Sequence, residues 1–301
     1  MISGFINVYK EAGFTSHDVV AIIRKNLKGI KTGHTGTLDP DAEGVLPICI
    51  GKATKLAEYV GGNTKKYRAT VKLGITTDTQ DTSGNIISKK EVNCSKESIE
   101  KAVLSFLGEY NQIPPMYSAL KVNGEKLYNL ARKGKSIERK PRKIEIYNIS
   151  ILDFLSNDRF IIDVTCSKGT YIRTLCHDIG EKLGTGACME YLIRTKTGNF
   201  ELKDSIKLED LKYKINANGI EDIIIPIDKV LIDYQKITAF NTANKYLYNG
   251  NKISINFIKN KENFNKEKDA LLYDSCGNLI GIYKFIGNEE IKPIVMLADL
   301  T

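Results

Sequence analysis

Between Tyr67 and Leu73 the chain alternates, with Tyr67, Ala69, Val71 and Leu73 against Arg68, Thr70 and Lys72, the period of a strand with one buried face. The same period predicts strands at Ile144 to Leu152 and at Arg159 to Ser167, where Phe160, Ile162, Val164 and Cys166 share a side. Helical spacing fills the intervals. Thr15 and Ser16 precede Val19, Val20, Ile22, Ile23 and Leu27, which predicts a capped amphipathic helix ending before Gly29. Ser95 opens a second helix through Ile99, Val103 and Leu107, closed by Gly108, and a third carries Ile172, Leu175, Ile179 and Leu183 up to Gly184. The glycine-rich stretch Gly33 to Leu46 has no period and reads as a loop, where function concentrates. After Ile232 the pattern becomes one short helix, Ala239 to Tyr248, and short strands with turns at Asn249-Gly250 and Gly277-Asn278. The division expected is a large domain of mixed helices and strands over 1–231 and a small, mainly β domain over 232–301.

A chain of 301 residues suits two such units, since a single core rarely grows past roughly 250 residues. An apolar fraction of 42% with 27% charged residues is that of a soluble globular protein. No apolar run approaches the ~20 residues that cross a bilayer, and Met1 to Lys10 lacks the pattern of a secretory signal, so a cytoplasmic protein is expected. Six scattered cysteines form no CxxC pair and no two of the three histidines stand at a helical ligand spacing, so the expectation is reduced, mostly core cysteines and no metal. The net charge of +8 is concentrated. Nine basic residues between Lys121 and Lys143, among them Arg132, face only Glu125 and Glu138, nearly the whole excess. A solvated loop would account for the charge alone. The interleaved Tyr117, Leu120, Leu127, Tyr128 and Leu130 favour a part-ordered segment, about 112–143, that closes over the phosphates and bases of RNA.

The segment His34 to Pro47 packs two glycines, two prolines, three carboxylates and a histidine into fourteen residues. By local chemistry Asp39 before Pro40 is a turn residue. Word order changes that. Gly36-Thr-Leu-Asp39-Pro-Asp-Ala-Glu-Gly44-Val-Leu resembles the signature loop of the TruB family of tRNA pseudouridine synthases, which modify the T-loop uridine. Further blocks follow in the family's order: Lys66-Tyr67-Arg68 through Gly74, Thr76-Thr-Asp78-Thr-Gln-Asp81, Gln112-Ile-Pro-Pro-Met-Tyr117-Ser-Ala-Leu-Lys121, Ser167-Lys168-Gly169-Thr-Tyr171-Ile-Arg173, and Tyr191-Leu192-Ile-Arg194. They run from near Phe5 to about Phe200, and several in order are specific where one would not be.

The resemblance implies an α+β protein with the pseudouridine synthase fold, a mixed, mostly antiparallel sheet flanked by helices, and a PUA-like C-terminal module. It also implies an isomerase without a cofactor: the carbon–nitrogen glycosidic bond is broken and remade through carbon with no net redox change. Such a reaction needs a group that holds base or sugar covalently, and a carboxylate is competent. Asp39 matches that nucleophile, Arg173 the cation that offsets its burial, and Tyr67 the aromatic under the uracil. Tyr171 and Leu192 match pocket positions, and His34 the residue that fills the space of an extruded base. Tyr117, Lys121 and Arg132 would grip the T-arm of tRNA, the expected partner of a monomer with no obligate protein partner. By plain chemistry Tyr67 would be a core tyrosine, Arg173 a surface arginine and His34 a turn histidine. The chain departs from the family at Tyr9-Lys10-Glu11, where Asp-Lys-Pro is usual, and at Glu43, where a small residue is usual. Glu43 sets a second carboxylate near Asp39 in sequence. A guide-RNA-dependent relative of the dyskerin type would share the aspartate loop but lack the basic insert. An RNA-binding or tRNA-folding protein would use the insert and the second domain alone.

Overall fold

The computed structural model describes residues 2–299 apart from 119, 123, 136 and 260. Ten strands form one sheet. Its main path runs Ile206–Lys207, Gly4–Lys10, Glu43–Ile50, Ala187–Thr197, Thr64–Leu73, Arg159–Ser167, Arg142–Ser156 and Gly108–Gln112, with Thr32–His34 and Phe200–Glu201 paired alongside. Gly4–Lys10 with Ile206–Lys207 and Glu43–Ile50 with Ala187–Thr197 are parallel pairs, and the other pairings are antiparallel. The α+β reading with a mostly antiparallel sheet holds.

Helices Ser16–Asn26, Lys96–Leu104 and Ile172–Leu183 bury their stripes (Val19 and Ile23; Ile99 and Val103; Leu175 and Ile179) in a core with one face of this sheet. The first helix begins as its sequence predicts: Thr15 and Asp18 form a reciprocal capping box. Phe5, Val45 and Cys49, on the opposite parity from Ile6, Leu46 and Ile48, join a second core with Leu271, Ile282 and Val295 of the C-terminal sheet. Burial on both faces explains why Val45 to Ile50 is apolar without alternation. The C-terminal sheet orders Gln235–Thr238, Ala270–Tyr273, Leu279–Gly287, Glu290–Met296 and Ile253–Ser254.

Three expectations need correction. The loop is shorter than Gly33 to Leu46, because Thr32–His34 and Glu43–Ile50 pair as strands and leave 35–42 irregular. The second helix stops at Leu104; Ala102 completes its buried stripe, Leu107 is exposed, and Gly108 opens a strand. The stretch Ala239 to Tyr248 is a 3-10 turn, Asn241–Ala243, followed by the four-residue helix Asn244–Leu247; Ala239 itself donates to Tyr273 across the sheet and cannot be helical. Among the described residues no helix is long and apolar enough to cross a membrane.

Candidate active site

The loop 35–42 leaves one strand edge and returns on the next, and side chains from three elements fix it. Arg194, fully buried on the central Ala187–Thr197 strand, donates to the carbonyls of Val45 (2.8 Å), Gly36 (3.0 Å) and Thr37 (3.4 Å). Lys10, also fully buried, donates to Pro40 O at 2.9 Å. Ser16, at the start of the first helix, accepts from Leu38 N at 2.9 Å and donates to Leu38 O at 3.2 Å. The backbone closes the turn through Ala42 N to Asp39 O (3.1 Å) and Gly13 N to Pro40 O (3.0 Å). Gly44, at φ +103°, lies against the Arg194 backbone, where any side chain would strike the carbonyl.

So held, Asp39 stands at the wall of a cavity of about 710 Å³ lined by Tyr67, Tyr117, Tyr171, Arg173 and Leu192 among others. The guanidinium of Arg173, its side chain only 7% exposed, lies 2.9 Å from the Asp39 carboxylate, itself 43% exposed. The same fork donates to Tyr117 O at 2.9 Å and Thr79 O at 3.1 Å and approaches Asp81 at 3.6 Å. Arg173 sits in the first turn of the helix Ile172–Leu183, whose amide dipoles favour the facing carboxylates. That turn is fastened from outside: the Gln112 amide exchanges hydrogen bonds with both the N–H and the carbonyl of Tyr171, at 2.8 and 3.0 Å.

Tyr67 is buried on the Thr64–Leu73 strand, close to the Arg194 guanidinium. Burial pushes the phenol above its ordinary value, and it does the same to Tyr171. Glu43, the carboxylate near Asp39 in sequence, is tied to two phenols. It accepts from Tyr9 at 2.6 Å and Tyr191 at 2.7 Å; burial would raise its pKa, but these bonds and the Lys10 charge hold it below the ordinary value.

Asp39, Tyr67, Arg173, Tyr171, Leu192 and Tyr117 thus meet at one cavity. His34 does not line it. Its ring stands edge-on to His17 at 5.3 Å, and His17 is the wall residue; Nδ1 of His34 is buried without a hydrogen-bond partner, and burial lowers its pKa. The side chains of Lys121 and Arg132 lie outside the described residues, although Lys121 falls in the short strand Lys121–Val122 and Arg132 ends the helix Leu127–Arg132. Arg173 is no surface residue. Sequence reading assigned no role to Arg194, Lys10, Asp81, His17 or Lys65; the signal for Arg194 and Lys10 is a charged residue on the core parity of a strand, level with Leu192 and with Val8 respectively. Among the described residues no cluster of His, Cys, Asp and Glu could hold a metal.

Residues 24–172 match the model of the N-terminal domain of TruB family pseudouridylate synthases, and 173–232 that of the tRNA pseudouridylate synthase B C-terminal domain. The chain belongs to the TruB family. Proteins named tRNA pseudouridine synthase B from Alkaliphilus oremlandii and Clostridium perfringens are similar: 50% identical over 85% of this chain and 85% of the relative, and 47% over 94% and 95%. Among solved structures, one of a Cbf5-Nop10-Gar1 complex superposes with a TM-score of 0.74 at 27% identity, covering 98% of this chain and 85% of that one. The TruB signature segment is the loop that Arg194, Lys10 and Ser16 hold.

Proposed function

We propose that this protein isomerises the T-loop uridine of tRNA, position 55, to pseudouridine, with Asp39 as covalent catalyst. The observation that carries the reading is the Asp39–Arg173 pair set in one cavity with Tyr67. In the reaction N1–C1′ breaks, C5–C1′ forms, and a proton passes from C5 to N1, so nothing is added and nothing is lost. Asp39 supplies the oxygen that bonds base or sugar while the uracil turns. Arg173 keeps that oxygen anionic in a site from which the base displaces water. Tyr67 offers its face to the uracil, and its high phenol pKa keeps it protonated, able to donate as charge moves onto the base. A cavity of about 710 Å³ falls within the roughly 300–1,000 Å³ of sites that take a small molecule, room for one extruded nucleotide. On this reading His34, whose ring stands edge-on to His17 of the cavity wall, fills the gap the base leaves. Residues 232–301 extend the RNA-binding surface as a PUA-like module, and the basic segment 112–143 grips the T-arm.

The relatives at 47–50% identity are named for tRNA, which favours tRNA over a guided substrate and a protein that acts without obligate partners. The test is conversion of an unmodified tRNA transcript by wild type and by Asp39→Asn. Conversion at the T-loop by wild type alone, with binding retained in the variant, is expected. Equal conversion by both would remove Asp39 from the chemistry, and binding without conversion by wild type would leave an RNA-binding protein.

A further inference from the structure

Among the described residues four cations reach the interior around the cavity, and three are already engaged. Arg173 is held by Asp39 and Asp81, Arg194 donates to backbone carbonyls, and Lys10 donates to the Pro40 carbonyl. The fourth is Lys65. It stands two residues before Tyr67 on the Thr64–Leu73 strand, on the same face, and lines the cavity. Its neighbour Lys66, on the outer face, is paired with Asp163 at 2.8 Å. No hydrogen bond or ion pair joins the Lys65 ammonium to any described residue. Room for it is built in: a side chain at Gly36 would come within 3.2 Å of Lys65 Nζ. Burial, with Arg194 close by, pushes its pKa down to about 8. An unpaired cation buried in a cavity costs stability unless an anion arrives.

The carboxylates of the cavity do not serve as that anion. Asp39 and Asp81 face Arg173, Asp81 also accepts from Thr79 at 2.6 Å and Ser83 at 2.5 Å, and Asp41, the third carboxylate of the wall, makes no ion pair with Lys65. We infer that Lys65 receives a backbone phosphate beside the target uridine as the nucleotide swings into the cavity. The inference rests on the RNA reading above and names an additional contact of the same site. An ammonium makes a point-charge contact that needs no fixed fork, which suits a phosphate arriving on a moving backbone.

The experiment uses the Asp39→Asn protein, expected on the proposed reading to bind without turnover, and a T-arm hairpin carrying unmodified uridine. Binding is measured over a salt series for this protein and for its Lys65→Gln and Lys65→Arg derivatives. Loss of one phosphate contact should reduce the slope of log affinity against log salt by roughly 0.7–0.9 and weaken binding about tenfold at low salt, with Lys65→Arg close to the parent. A second arm leaves the protein intact. A neutral methylphosphonate on one side or the other of the target uridine should reproduce the lost slope, and adding Lys65→Gln should then cost nothing more. An unchanged slope in Lys65→Gln, or parent affinity with both neutral linkages, overturns the inference. Wild-type protein that fails to convert tRNA overturns the functional reading itself, a separate result.

Discussion

Arg194 donates to Gly36 O at 3.0 Å and to Val45 O at 2.8 Å, so one buried side chain ties together the two ends of the segment that carries Asp39. Arg194→Met keeps the stem and removes the fork, leaving the carbonyls of Gly36, Thr37 and Val45 short of a partner. A loss of about 2–4 kcal/mol in urea unfolding is expected, together with collapse of activity. A loss within ~0.5 kcal/mol would mean the loop is anchored elsewhere.

Arg173 touches two carboxylates and two carbonyls from one plane, a geometry that an ammonium cannot copy. Arg173→Lys keeps the charge and gives up the fork. On the proposed mechanism kcat falls by about 10²-fold or more while binding of the Asp39→Asn,Arg173→Lys pair to RNA stays near that of Asp39→Asn alone. Single-turnover conversion and filter binding measure the two. Retention of wild-type kcat would detach Arg173 from the reacting carboxylate.

Local periodicity carried the fold well where one face is wet. Arg159–Ser167, the capped first helix and the helix stopped by Gly184 stand where their patterns put them. It failed where both faces are dry or the pairing is long-range: Glu43–Ile50 has no alternation because a second core covers its other side, and Thr32–His34 is a strand only through its partner. The site was legible through word order more than through chemistry. Asp39 by itself is a turn residue, and Arg173 by itself looks exposed. Lys10, Lys65 and Arg194 went unassigned because their burial is a property of the sheet they join.

Lys10 gives a pH test. Burial pushes its pKa from 10.5 down to about 8. Below pH 8 both folded and unfolded chains hold the proton; between pH 8 and 10.5 the unfolded chain still binds one that the folded chain has released. Stability therefore gains from Lys10 as pH rises through that window, by up to about 3 kcal/mol. Lys10→Met lacks this increment, so urea unfolding at pH 7.5 and pH 10 should show the difference moving in favour of the wild type at the higher pH. A pH-independent difference would show that Lys10 titrates normally.

Glu43 and Tyr9 are two of the positions where the chain leaves its family's pattern, and the structure joins them: the Tyr9 hydroxyl donates to Glu43 at 2.6 Å, with Tyr191 on the same oxygen at 2.7 Å. The two departures therefore meet in one hydrogen-bonded cluster that bridges adjacent strands. Glu43→Gln offers an uncharged acceptor to two phenols, and a loss of about 1–3 kcal/mol at pH 7 is expected. Because Glu43 is held below its ordinary pKa, its contribution is present above about pH 4.5 and is lost as pH falls through the folded value. Wild type and Glu43→Gln should therefore converge in acid. Glu43 stands four residues after Asp39, at the point where the loop enters its strand, so loosening this anchor should lower kcat more than it raises KM. A stability gap that persists unchanged at pH 3.5 would assign the effect to packing and not to the charge.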